Sequence, residues 1–196
     1  MAGETKIGVT GPGGQRKTYK LEDVRPFWVY DTVSIATAAT EAVFFQSPQG
    51  KVLAETNLTQ FSTLPQGWVF DAVKMRFILP QNIDEVDAKA LLNTSVLTYL
   101  KEGIEEIFTL PAILCGAGGG LYGHLSTTVT ASTASVGIGN GLPTQASAMK
   151  LPFPLSIVGG RTFQFRLKFE SAVTLGATRK CKMVLDGVLR KAVVGA

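Results

Sequence analysis

Alternating apolar and polar residues dominate the chain and predict β-strands. The clearest case is 161–169, where Phe163, Phe165, Leu167 and Phe169 alternate with polar side chains. A period of two is typical of a strand that packs one face on a core. The same reasoning predicts strands over 27–35, 41–46, 68–79, 94–100, 104–110 and 180–189.

Two of these strands carry further detail. In 68–79 the pattern predicts one shared face for five residues: Val69, Val73, Met75, Phe77 and Leu79. In 180–189 it predicts inward side chains at Cys181, Met183 and Leu185, with a turn or bulge at Asp186-Gly187.

One helix is predicted, over 82–92. Asp84, Glu85 and Asp87 lie where its first turn is expected, and the helix macrodipole favours acidic residues there. We interpret these carboxylates, together with Glu102, Glu105 and Glu106, as a solvated helix face and a polar turn.

About eight strands, one short helix and many Pro/Gly turns predict an all-β antiparallel sandwich or barrel. The length of 196 residues exceeds an immunoglobulin-like sandwich and fits a single jelly roll. We predict a flexible N-terminal arm over 1–26 and one jelly-roll domain over 27–196. A long insertion, 111–149, has no charged residue and is expected to pack on a neighbouring subunit.

Composition points toward protein contacts. Charged residues make up only 17% of the chain and mean hydropathy is +0.21, against about 25% charged residues in an average soluble domain. Charge is also uneven: 27–110 holds five basic and ten acidic residues, and 161–196 holds eight basic and two acidic residues. No secretory signal or transmembrane segment is predicted.

Candidate chemistry is sparse, and we predict no enzyme, no cofactor and no metal site. Cys115 and Cys181 form no motif and are expected to be reduced and buried. His124 is the single histidine, without an orienting acid nearby in sequence. Gly118, Gly120 and Gly123 match G-x-G-x-x-G, but a poor helix sequence follows, so we interpret them as a loop.

Basic residues are the remaining candidates for a site. Arg166 and Lys168 share one face of a predicted strand, and Lys180 and Lys182 share a face of another. If these two strands pair, the four side chains form one patch that could contact phosphates or lipid headgroups. The alternative is an ordinary solvated or subunit-facing surface.

Two stretches resemble a known family. The first contains Thr56-Asn57-Leu58, Leu64-Pro65 and the strand from Trp68 to Phe77, and the second is Cys181–Arg190 with Leu185-Asp186-Gly187. Both resemble jelly-roll capsid proteins of tailless icosahedral bacterial viruses, over about a third of the chain. The resemblance implies a virion built from upright single jelly rolls, with or without an internal membrane. The uncharged insertion departs from the family pattern and leaves major capsid, minor capsid and tail-associated roles open.

We therefore expect a self-assembling capsid subunit, located in the virion and assembled in the host cytoplasm. Its expected partners are copies of itself in pentamers, hexamers or trimers, other virion proteins, and the viral genome or a membrane on the basic face. The alternative is a carbohydrate- or receptor-binding jelly roll, such as a phage adhesin. That alternative calls for exposed aromatic residues, whereas Trp28 and Trp68 both lie in core-like patterns.

Overall fold

The computed structural model describes residues 6–10, 16–20, 24–80, 83–102, 105–116, 122–125, 136–139 and 148–191. The main body of the structure consists of antiparallel strands in two four-stranded sheets. The first sheet has the order β11 (Met149–Val158), β5 (Trp68–Ile78), β13 (Arg179–Lys191), β3 (Val24–Ile35). The second has the order β4 (Glu41–Phe44), β12 (Phe163–Phe169), β7 (Ser95–Lys101), β8 (Glu105–Pro111).

The remaining elements are short. A hairpin of β1 (Lys6–Thr10) and β2 (Arg16–Lys20) lies within the predicted arm, and β3 includes the last three residues of that arm, 24–26. A small sheet has the order β6 (Ile83–Asp84), β10 (Val136–Gly139), β9 (Tyr122–Leu125). Helix α1 spans Glu85–Asn93, which confirms the predicted helix, and a 3-10 helix spans Ala112–Cys115. The other residues of the predicted insertion, 117–121, 126–135 and 140–147, lie outside the described part of the chain.

The all-β sandwich is confirmed, and its core lies between the two sheets. All four apolar residues on the inner face of β12 are buried, as their alternation predicts. Phe165 lies in an aromatic cluster with Phe45, Tyr99 and Phe108, at ring-centroid distances of 4.9 to 6.1 Å. Cys181, Met183 and Leu185 point inward from β13, as predicted. Cys115 and Cys181 are free and buried, which also agrees with expectation.

The predicted face of β5 is wrong at Val69 and Val73, which lie on the face opposite the buried side chains. Phe70 and Ala72 are buried, the side chain of Val73 is exposed, and Met75 is buried again. The cause is a β-bulge, because the register between β5 and β13 shifts between Asp186 and Gly187. A bulge adds one residue to one strand and reverses the alternation beyond it.

Gly187 is required at this bulge. A Cβ atom there would lie 2.1 Å from the carbonyl oxygen of Asp71. Asp186 is bound to Arg76 on the neighbouring strand at 2.5 Å. The Leu185-Asp186-Gly187 sequence therefore serves the fold of the first sheet.

The first stretch of the family resemblance, which contains Asn57 and Leu64, also stabilises the fold. The Asn57 amide group accepts a hydrogen bond from Tyr30 N (3.0 Å) and donates one to Trp28 O (2.6 Å). These bonds cover the outer edge of β3, which is an edge strand of its sheet. The Leu64 carbonyl accepts a hydrogen bond from Gly160 N at 2.9 Å, which joins the loop before β5 to the loop after β11.

The solvated helix face is confirmed at Glu85, which is exposed, but our interpretation is wrong at Asp87, which is buried. Asp84 is the N-cap and accepts a hydrogen bond from Asp87 N. Asp87 is buried and accepts hydrogen bonds from Gly176 N at 2.8 Å and Arg179 Nε at 2.5 Å. Arg179 also binds Asp84. The helix is thereby attached to the beginning of β13 by buried polar contacts that local sequence does not reveal.

Candidate interaction surfaces

The four basic residues predicted as one patch lie on two different sheets. Arg166 and Lys168 are on β12, which pairs with β4 and β7. Lys180 and Lys182 are on β13, which pairs with β3 and β5. The strand pairing on which a single patch depended does not form. Phosphate or headgroup contact by either pair stays a prediction.

The pair on β12 lies on the outer face of the second sheet. The guanidinium of Arg166 lies 3.4 Å from the carboxylate of Glu41 on β4, and both side chains are well exposed. Lys168 is exposed and lies opposite Glu41 in the strand register. A single carboxylate therefore faces two cations, which leaves a net positive charge at this position.

The pair on β13 already has partners in the loop before β5. Lys180 Nζ lies 2.7 Å from Glu55 Oε1, and Lys182 Nζ donates to Ala54 O at 2.7 Å. The hydrogen bond from Lys180, together with one from Val52 N, lowers the pKa of Glu55 below its ordinary value. An anion binding at this pair would have to compete with contacts inside the chain.

A polar cavity of about 360 Å³ opens beside Lys180. The ammonium group of Lys51, a lining residue, lies 2.6 Å from the buried carboxylate of Asp31, which also accepts a hydrogen bond from Phe45 N. The other lining residues are mainly small or polar: Thr32, Val33, Ser34, Val43, Gln46, Ser47, Gln49, Gly50 and Glu55. Such a cavity offers hydrogen bonds to a small polar ligand.

Trp28 is exposed, contrary to its core-like sequence pattern. Its side chain is 47% accessible on the outer face of β3. Tyr30 lies two residues further along the same face, with Lys182 Nζ 5.4 Å from its ring centroid. By contrast, Trp68 packs against the core, as its pattern predicts. Strand alternation alone could not decide which face of β3 is inside, because both faces carry aromatic residues.

An apolar cleft, which our sequence analysis missed, lies at the opposite side of the sandwich. It has a volume of about 140 Å³ and lies between residues of β8 and β11. Its lining is wholly apolar: Phe108, Leu110, Met149, Leu151, Pro152, Phe153 and Leu155. The uncharged sequence Leu151-Pro152-Phe153-Pro154-Leu155 was the available signal, since its prolines expose a phenylalanine on an edge strand.

Candidate metal ligands and thiol nucleophiles among the described residues are dispersed or buried. Within them, His, Cys, Asp and Glu side chains form no group of three or more that could bind an ion. Burial raises the pKa of both Cys115 and Cys181 to about 12, which leaves poor nucleophiles. Gly118 and Gly120 lie outside the described residues, and Gly123 and His124 belong to β9. In the ranges that the structure covers, no helix is long and apolar enough to cross a membrane.

Comparison with known proteins does not identify a family. The chain matches none of the protein-family models and shows no significant similarity to a curated protein.

Proposed function

We propose that the chain is a self-assembling structural subunit of the capsid of a bacterial virus, built on a single jelly roll. The observation that carries this proposal is the order of the eight strands in the two large sheets. Numbered along the chain, they are arranged 6-3-8-1 in the first sheet and 2-7-4-5 in the second. Eight antiparallel strands wound through two sheets as Greek keys characterise jelly rolls, which build viral capsid and lectin domains.

The surface of the protein favours self-assembly over a monomeric state. Only 17% of the residues are charged, and large apolar side chains are exposed on β11 and on the 3-10 helix that follows β8, at Phe153, Ile113 and Leu114. Low charge and exposed aromatic side chains are typical of the centres of protein interfaces. A shell subunit buries such surface against its neighbours on several sides.

The family resemblance supports the same fold, because residues in both similar stretches have structural roles. Asn57 covers the edge of β3, and Gly187 permits the bulge opposite β5. Asn57 and Gly187 therefore support the proposed architecture. The proposed role in assembly rests on the resemblance. The chain would be structural rather than catalytic, with copies of itself and other virion proteins as partners.

The outward basic pair on β12 is the better candidate for contact with the genome or a membrane. Arg166 and Lys168 share one exposed carboxylate, Glu41. Lys180 and Lys182 are already bound to Glu55 and the Ala54 carbonyl. We expect binding of anionic vesicles or nucleic acid, where it occurs, to weaken in R166Q/K168Q and to change less in K180Q/K182Q.

Light scattering coupled to size exclusion, with negative-stain microscopy of the same fractions, tests the assembly proposal. Pentamers, hexamers, trimers or closed shells are the expected result. A monomer at every protein and salt concentration would overturn the proposal.

A carbohydrate-binding role is the second candidate, and the exposure of Trp28 favours it. An accessible indole ring on the outer face of β3, with Tyr30 two residues further along the same face, offers a platform for a sugar. Aromatic rings with one polar edge are suited to mixed apolar and polar ligands. A glycan array with W28A as the matched variant separates the roles. Binding that W28A abolishes, by a chain that stays monomeric, would favour the adhesin function.

A further inference from the structure

The apolar cleft has the size of one aromatic ring. Its volume of about 140 Å³ is close to the ~150 Å³ of an apolar cavity that accepts benzene in another protein. It lies where β8 and β11, which are edge strands of the two sheets, approach each other. Since its lining is apolar, a charged or strongly polar group would lose its hydration there without a hydrogen-bonding partner.

The surface around the cleft has the character of an interface. Phe153, one of its lining residues, is 63% exposed. Ile113 and Leu114 are also exposed, on the 3-10 helix that directly follows β8. Across 107–116 and 148–158 the single charged residue is Lys150. The centres of protein interfaces are depleted in charge and enriched in aromatic residues.

We infer that the cleft is a contact between two copies of this chain, in which Phe153 of each copy enters the cleft of the other. The inference rests on the proposed self-assembly and goes beyond it by naming the surface. In a two-fold contact the same patch must provide both the projecting group and the recess that receives it. This patch provides both, because Phe153 projects from the rim of a recess that matches an aromatic ring.

Side chains rather than an added strand make this contact. Pro152 and Pro154 flank Phe153 and have no backbone N–H to donate to a new strand at the edge of β11. Two buried phenylalanine rings account for about 300–500 Å², well below the ~1,200 Å² of a stable interface. We therefore expect a weak, concentration-dependent contact that adds to other contacts in a shell.

Sedimentation equilibrium of the full chain tests the inference. F153A is expected to raise the dissociation constant of the pair at least about tenfold. F61A is the matched control, because Phe61 is 62% exposed but lies in the loop before β5. It should leave the constant within about twofold of the wild-type value. L110W, which fills the recess from β8, should weaken association as F153A does, and thermal unfolding of each variant verifies that it folds.

Mixing the variants tests the reciprocal geometry. A pair made from one F153A copy and one L110W copy keeps one of the two contacts, because the phenylalanine of the second can enter the cleft of the first, whose Leu110 is unchanged. The mixture should associate more tightly than either variant alone. Equal weakness in the mixture would contradict the two-fold arrangement.

The outcomes separate this inference from the proposed function. If the wild type assembles and both variants assemble equally well, the cleft contact is wrong and the assembly proposal stands. A wild-type chain that is monomeric at every concentration would overturn both the cleft contact and the assembly proposal. Unchanged association, combined with indole binding that L110W abolishes, would make the cleft a small-ligand site and overturn the inference.

Discussion

Replacing the buried carboxylate of Asp87 should destabilise the protein more than removing any exposed ion pair on the same helix. Asp87 accepts hydrogen bonds from Gly176 N and Arg179 Nε, and Arg179 in turn binds the N-cap residue Asp84. In D87N the amide oxygen can replace only one of the two acceptors. Its NH₂ group would then face the Nε–H of Arg179, so a buried donor is left without an acceptor.

The size of the loss follows from burial. A hydrogen bond to a charged group contributes about 1.5–3 kcal/mol, and removing one partner of a fully buried ion pair costs about 3–5 kcal/mol. The side chain of Arg179 is 22% exposed and keeps Asp84 as a partner, which reduces the upper figure. We expect D87N to lower the free energy of unfolding by about 2–3 kcal/mol near neutral pH.

The effect should depend on pH in a defined direction. Burial alone would raise the pKa of Asp87, but the Gly176 amide and the Arg179 guanidinium outweigh it and hold the pKa below the ordinary value of 3.8. The carboxylate therefore stabilises the fold fully above the unfolded-state pKa. This contribution is lost as pH falls through the lower, folded-state pKa. The difference between wild type and D87N should narrow below about pH 4.

Urea unfolding followed by far-UV circular dichroism, at several pH values, measures this difference. K89Q is the control, because it breaks the exposed pair between Lys89 and Glu85 on the same helix and should cost less than about 0.5 kcal/mol. A D87N variant as stable as K89Q near neutral pH would refute the reasoning. So would a loss that stays the same down to about pH 3.

Three further predictions concern single positions. G187A should lower the free energy of unfolding by more than about 2 kcal/mol, because its Cβ would lie 2.1 Å from Asp71 O. G176A is the control, since its Cβ would have its nearest contacts at 3.8 Å and should lower that free energy far less; denaturant unfolding measures both. N57A should speed hydrogen exchange at the Tyr30 amide and lower the free energy of unfolding by about 1–2 kcal/mol. N57D keeps the acceptor for that amide and should exchange at a rate between those of wild type and N57A. Equal exchange in all three proteins would contradict the edge-covering role. Neither cysteine should react with a thiol reagent near about pH 8 until guanidinium unfolds the chain, because burial raises each pKa to about 12; fast labelling of the native protein would oppose this.

Local pattern was sufficient for most elements of the fold and for the inner face of β12. Strand alternation depends on neighbouring residues, so Phe163 to Phe169 could be assigned to the core from sequence alone. At Val73 the same method failed, because a bulge depends on how β5 meets β13 more than a hundred residues later in the chain. The prediction that Trp28 is buried failed for a related reason. Both faces of β3 carry aromatic residues, so burial depends on which face packs against the other sheet.

The candidate sites were harder to predict because they depend on strand pairing. Arg166 and Lys168 are near Lys180 and Lys182 in sequence, yet β12 and β13 belong to different sheets. Asp87 has the sequence context of an exposed first turn, and Arg179, 92 residues away, makes it a buried anion. The apolar cleft is formed by β8 and β11, whose contribution to one site becomes visible only when both sheet orders are known.

The edge strands of the two sheets differ in a way that bears on assembly. An uncovered edge invites pairing with another chain, and natural proteins cover or block such edges. Asn57 covers β3 by backbone-directed hydrogen bonds, and Pro152 and Pro154 remove two backbone N–H donors from β11. Yet the side chains at the β11 edge are apolar and exposed, with Phe153 beside a recess of matching size. An edge with fewer donors for strand addition, but with apolar side chains open to packing, favours a contact of fixed geometry over indefinite sheet growth, as the proposed shell would require.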